Sequence, residues 1–110
     1  MLPSLTVIDL VQHMQGVNEY KNISLSGIND HVVKLSVMIA PYIWHYHPNS
    51  DETFYVIEGI LCVDLDNATF ELAPGQMFTI PANVRHCTRP KGNRSVNLTF
   101  ERKDIETIEL

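Results

Sequence analysis

Apolar and polar side chains alternate with period two along most of this chain, which is the mark of half-buried β-strands. Val33, Leu35, Val37 and Ile39 fall on one face, opposite Lys34, Ser36 and Met38. Leu61, Val63 and Leu65 alternate with Cys62 and Asp64, and Phe70 and Leu72 flank Glu71. Phe78 and Ile80 flank Thr79, while Val96, Leu98 and Phe100 alternate with Asn97, Thr99 and Glu101. Turn residues bound each run: Asn29-Asp30, Pro48 to Asp51, Glu58-Gly59, Asp66-Asn67, Pro74-Gly75, Pro81 to Asn83 and Lys91 to Asn93. Many short strands at regular spacing predict an all-β sandwich or barrel. Glu58-Gly59 reads as a tight hairpin with glycine supplying positive φ, and Asp66-Asn67 as a second one. One short helix is expected over Leu10–Gln15, with Asp9 as its N-cap and Gly16 as its stop.

Size and charge narrow the field. A chain of 110 residues, 45% of them hydrophobic, is expected to form a single domain over residues 1–110. The net charge of −5 and only 8 Lys and Arg argue against a nucleic-acid partner. No apolar run approaches the ~18 residues of a membrane span. The start, Met1-Leu2-Pro3-Ser4, has no basic segment or apolar core, so no secretory signal is expected. Cys62 and Cys87 are too few for a disulfide framework. A cytoplasmic location with reduced thiols is the expectation.

The candidate chemistry lies in His45-Tyr46-His47, Glu52 and His86. Residues two apart on a strand share a face, so His45 and His47 would sit about 6.6 Å apart in Cα terms and reach one ion together. Glu52 follows across a turn, and His86 must arrive from a distant strand. Ile43 shares the histidine face, and Glu52, Phe54 and Val56 share one on the next strand. The ligands would thus project among apolar side chains.

From Ile39 to Gly59 the chain reads IAPYIWHYHPNSDETFYVIEG, and from Gly75 to Pro90 it reads GQMFTIPANVRHCTRP. These blocks resemble the two motifs of the cupin superfamily, G-x5-H-x-H-x3–4-E-x6-G and G-x5-P-x-G-x2-H-x3-N. His45, His47, Glu52 and Gly59 fall in register with the first, and Gly75, Pro81 and His86 with the second. Fifteen residues separate Gly59 from Gly75, close to the short spacing of small single-domain bacterial cupins. Ile39 replaces the leading Gly, Pro90 the closing Asn, and Asn83 the second Gly, where Asn best tolerates left-handed backbone. The resemblance implies a double-stranded β-helix, a jelly-roll barrel that usually forms a homodimer. It further implies that His45, His47, Glu52 and His86 hold one divalent transition metal ion: Mn, Fe, Co, Ni, Cu or Zn. Positions left open on that ion would take substrate, water or dioxygen.

The remaining features take plainer readings. His13 and His31 are expected at the surface, and Cys62 and Cys87 as packed thiols. Strand parity sends Trp44 and Tyr46 away from the ion, toward packing or a dimer partner, with Tyr42, Tyr55 and Ile57 in the same group. Arg85 is a candidate rim cation for an anionic ligand. Thr88 is a candidate inward hydroxyl. Outside the ligand set no acid–base pair stands out. The predicted cavity lining is mostly apolar: Val37, Ile39, Ile43, Phe54, Val56, Phe78, Ile80, Leu98 and Phe100. The expected function is a metal-dependent cupin acting on a small organic molecule, with dioxygenase- or isomerase-like chemistry; the alternative is a non-catalytic module binding metal or a small molecule.

Overall fold

A computed structural model describes residues 1–110. The chain forms helix α1 (Leu10–Met14) and strands β1 (Lys21–Ile28), β2 (His31–Met38), β3 (His45–Tyr46), β4 (Glu52–Glu58), β5 (Leu61–Asp64), β6 (Thr69–Leu72), β7 (Met77–Ile80), β8 (Cys87–Pro90), β9 (Ser95–Arg102) and β10 (Ile108–Glu109). All strand pairs are antiparallel. One sheet runs β1-β2-β9-β4-β7, a second β6-β5-β8, and β10 pairs with β3. Apart from the consecutive pairs β1-β2 and β5-β6, neighbours in a sheet are distant in sequence, as a chain rolled into a double-stranded β-helix requires.

Two apolar cores form, one on each side of the larger sheet. Met38, Phe54, Val56 and Ile80 meet Leu61, Val63 and Leu72 from the second sheet and fill one half of the barrel. Leu25, Leu35, Val37 and Val96 pack on the other face with Met14 of α1, and Leu2, Ile8, Leu10 and Leu98 complete that cluster. Each fully buried aliphatic side chain contributes about 1.5–3 kcal/mol. The Asp9 side chain caps α1 by accepting from the Val11 amide at 3.0 Å. Gly16 follows at φ +72° and turns the chain out of the helix, as the sequence predicts. Arg94 pins this segment to the barrel by donating to the carbonyls of Val17 and Met14 and pairing with Glu58.

This arrangement overturns part of the predicted lining. Val37 and Leu98 belong to the outer core under α1. Ile39 and Ile43 are exposed, and Phe100 is half-buried. On β2 and β9 the polar half of the alternation turns inward instead, because the N-terminal segment covers the apolar half. Phe54, Val56 and Ile80 do point inside, with Phe78 packed at their edge. Strands β1 and β10 were not anticipated. Ile23 and Leu25 alternate with Ser24 and Ser26 on β1, but the run is weaker than its neighbours.

Glu58-Gly59 is also not a hairpin. Strand β4 pairs with β7 and β9, whereas β5 pairs with β6 and β8. The turn is a corner where the chain changes sheets. Glycine is needed there twice over: φ is +73°, and an added Cβ would lie 2.3 Å from the Arg94 carbonyl oxygen. Asp66-Asn67 does close a hairpin, with Asp64 opposite Thr69. Gly59→Ala is predicted to cost about 3 kcal/mol in urea unfolding. Gly75→Ala separates the two effects, since φ is +86° but nothing lies within 4 Å of its added Cβ. It should cost only about 1 kcal/mol, and equal losses in the two variants would refute the steric account.

Candidate metal centre

His45 stands on β3, His47 one residue past its end, Glu52 opens β4, and His86 immediately precedes β8. Two backbone features bring them together. His45 and His86 exchange amide–carbonyl hydrogen bonds at 2.9 Å in both directions, which sets their imidazole centroids 4.3 Å apart. The Asn83 amide donates to the His47 carbonyl at 2.9 Å, and Asn83 itself takes φ +70°. Asn therefore serves where the family motif has glycine, as its tolerance of left-handed backbone predicts. All four side chains are buried, and their ligand atoms lie within 4.8 Å of one another. The sequence-predicted set is thus assembled in full.

Each imidazole is held by its Nδ1. His45 meets the Ile43 carbonyl at 2.7 Å, His86 the Val84 carbonyl at 2.9 Å, and His47 the Glu106 carbonyl at 2.9 Å. A carbonyl can only accept, so Nδ1 must carry the proton in all three rings. That leaves each Nε2 lone pair free in the neutral ring, which is the form that binds a metal. His86 Nε2 lies 3.3 Å from Glu52 Oε1, and His47 Nε2 lies 3.4 Å from the same oxygen. The latter contact is an ion-pair distance without hydrogen-bond geometry, and His47 Nε2 is left buried without a partner. An orphaned acceptor aimed at two other imidazoles and a carboxylate fits a cation. With their ligand atoms within 4.8 Å of one another, these four residues would hold a single cation between them.

The ionisation of the group follows from its burial. Burial holds the His45 imidazole below its ordinary range, and the neighbouring imidazoles add to this. Burial pulls His47 down as well, but the Glu52 carboxylate outweighs it and raises His47. Burial alone would raise Glu52, yet the imidazoles of His47 and His86 hold it well below the usual carboxylate range.

A cavity of about 170 Å³ opens beside this group. His45, His47 and Glu52 line it, while His86 lies behind them. The rest of its wall is mostly polar, with Lys34 and Ser36 from β2 and Thr99 and Glu101 from β9. Met38, Phe54 and Tyr42 supply the apolar part, and Thr88 faces in as anticipated. The mostly apolar lining expected from sequence is therefore incorrect.

Three side chains escaped sequence reasoning. Glu101 is buried, and its carboxyl is pushed up to about 7 by that burial and by Glu52, against the pull of Lys34. Lys34 pairs with it at 2.9 Å. Tyr42, grouped with outward packing residues, instead meets His45 edge-on at 5.1 Å. The available signal was composition: the β2 and β9 polar positions include Ser36, Asn97 and Thr99, small uncharged residues suited to an interior.

Other candidates are settled simply. Arg85 is exposed and pairs with Asp66 at 3.5 Å, so it does not line the cavity. His31 is exposed beside Asp30. Cys62 and Cys87 are buried free thiols. Burial pushes Cys87 up to about 11, with Asp64 adding to the effect, so it is a poor nucleophile. No helix is long and apolar enough to cross a membrane.

Residues 36–100 match the cupin domain. The chain belongs to the cupin family. It is 43% identical over 91 residues to the uncharacterized protein YdbB of Bacillus subtilis, covering 82% of this chain and 80% of that one. It is 46% identical over 56 residues to the polyketide synthase CurC of Streptomyces cyaneus, covering 51% of this chain but only 36% of CurC. The crystal structure of a cupin-2 domain containing protein from Shewanella frigidimarina superposes with a TM-score of 0.82 at 26% identity, covering 88% of this chain and 95% of that one.

The tautomer assignment can be checked without any metal. In alkaline buffer, where the imidazoles are neutral, long-range ¹⁵N–¹H spectra of metal-free protein should show His45, His47 and His86 as Nδ1–H tautomers. Asn49 holds the segment that carries the Glu106 carbonyl: its amide donates to the Asp104 carbonyl, and its carbonyl accepts from the Glu106 amide, both at 2.9 Å. Asn49→Ala should release His47 alone into a tautomer mixture. Unchanged His47 signals would show that Asn49 does not position the ring.

Proposed function

We propose that this chain is a metal-dependent cupin that binds one divalent transition ion through His45, His47, Glu52 and His86, and acts on a small organic molecule chelated beside it. The observation that carries the reading is the set of three buried Nε2 lone pairs converging on Glu52, with His47 Nε2 unpartnered. A bound ion would supply Lewis-acid polarisation of a chelated oxygen and, if redox-active, reaction with dioxygen. The residues around it bind and orient. Phe54 and Met38 keep one side of the cavity dry, while Ser36, Thr88 and Thr99 offer hydroxyls to a ligand's oxygens. Glu101 is the group best suited to hold a proton near neutrality, since its carboxyl lies at about 7.

The likeness to CurC, named a polyketide synthase, supports a carbonyl-rich substrate. Dioxygenase-like cleavage and isomerase-like proton transfer are the reactions we put forward; an ion held by His45, His47, Glu52 and His86 would supply the Lewis acidity both need. A non-catalytic binding role would keep the chelate and lack turnover. We also propose a homodimer. It is supported by exposed Ile43, Trp44, Ile108 and Leu110, which lie near one another because the Leu110 amide donates to the Trp44 carbonyl at 3.1 Å.

Elemental analysis of untagged protein should find about one transition-metal ion per chain, and His86→Ala should lose it. Substoichiometric metal that is unaffected by His86→Ala would defeat the reading. Sedimentation should give a species of twice the 12.5 kDa chain mass, shifted to monomer by Trp44→Glu; a wild-type monomer would remove the dimer.

A further inference from the structure

The polar wall opposite the imidazoles carries charge that the metal group does not account for. On the paired strands β2 and β9, Lys34 lies opposite Thr99 and Val32 opposite Glu101. Lys34 and Glu101 are therefore diagonal cross-strand neighbours, within reach of long side chains. The ammonium lies 2.9 Å from the Glu101 carboxylate, with side chains 28% and 5% exposed. Lys34 is the single lysine or arginine lining the cavity. Glu101 occupies one of the three ammonium hydrogens, and the others remain for a ligand.

Position makes this cation available to whatever sits at the imidazoles. Lys34 lines the same cavity as His45, His47 and Glu52, and its partner Glu101 in turn meets Glu52, so a small molecule touching the imidazoles also approaches this wall. Charge then decides what is welcome. Glu52 and Glu101 bring two carboxylates and Lys34 one ammonium. A divalent cation beside them leaves the group one unit positive with Glu101 ionised and two with it protonated, so the excess is positive either way. In a part-buried cavity such an excess favours an anion over neutral or cationic ligands. Glu101 is the sole ion-pair partner of Lys34.

We infer that Lys34 determines the specificity of this cavity, and that its ligand is a small bidentate oxygen anion, either a 1,3-dicarbonyl enolate or a hydroxy- or oxo-carboxylate. Lys34 donates to the oxygen bearing the charge, and Glu101 holds the ammonium toward it. The inference rests on the metal-site reading proposed above.

The test uses full-length protein loaded with cobalt, whose visible spectrum reports changes at the ion. Acetylacetone, glycolate and neutral imidazole are titrated into wild type, Lys34→Met and Lys34→Arg. Wild type should bind at least one of the two acids. Lys34→Met should weaken that acid about tenfold or more while imidazole affinity stays within about twofold. Lys34→Arg should recover most of the loss. Dependence confined to glycolate marks a carboxylate ligand, and dependence confined to acetylacetone an enolate. Raising the salt concentration should weaken the acid and not imidazole in wild type, a check that requires no variant to fold. Equal affinity of wild type and Lys34→Met for both acids, or parallel loss of acids and imidazole, would overturn the inference. Failure of wild type to take up cobalt would instead remove the metal reading itself.

Discussion

The structure of the site depends on where three protons sit. Imidazole binds either a proton or a cation at a given nitrogen, and a buried ring cannot consult bulk water about which nitrogen to use. Here the backbone decides. The carbonyls of Ile43, Val84 and Glu106 each take an Nδ1–H, so the three Nε2 lone pairs point inward together. None of these carbonyls lies in a long strand. Ile43 precedes β3, Val84 follows the left-handed turn at Asn83, and Glu106 sits in a C-terminal segment tied down by Asn49. The long strands supply rigidity, and the irregular segments between them supply aim.

A barrel with a polar, partly hollow end must find its stability elsewhere. The chain solves this by dividing its apolar residues between two places. One cluster fills the opposite half of the barrel, between the two sheets. The other lies outside the larger sheet, where α1 and the residues before it cover Leu35, Val37 and Val96. This external core is what allows β2 and β9 to turn Lys34, Ser36, Thr99 and Glu101 toward the cavity. Arg94 and Gly59 then fix the corner that joins both layers, one through its side chain and the other through the absence of one.

The same division explains what sequence could and could not disclose. The strands β2, β4, β5, β6, β7 and β9, the helix and its cap follow from local periodicity and turn chemistry. The four-residue set follows from spacing matched to a family motif. Choosing the inward face of β2 and β9 required knowing that the N-terminal segment would cover the apolar side, and that is a long-range fact. Parity fixes which residues travel together; it does not say which group meets the interior. The Glu58-Gly59 corner failed for a related reason, since a two-residue turn between apolar runs looks alike whether its strands pair or part. Lys34 and Glu101 were hidden by both effects, because alone each reads as an ordinary solvent-facing charge.

That pair also bears on what the cavity is for. A buried carboxylate beside a half-buried ammonium loses hydration that their attraction does not fully return, so such pairs rarely exceed well-packed apolar residues in stability. Three buried imidazoles around Glu52 carry the same penalty, and His47 Nε2 adds an unpartnered acceptor. Folding alone would favour leucine or valine at these positions, as it does in the half of the barrel below them. Polar groups with aligned lone pairs and a directed ammonium are instead suited to a charged occupant that supplies the missing partners. The cost to stability is confined to one end of the barrel, and the two apolar cores are what allow that end to remain reactive.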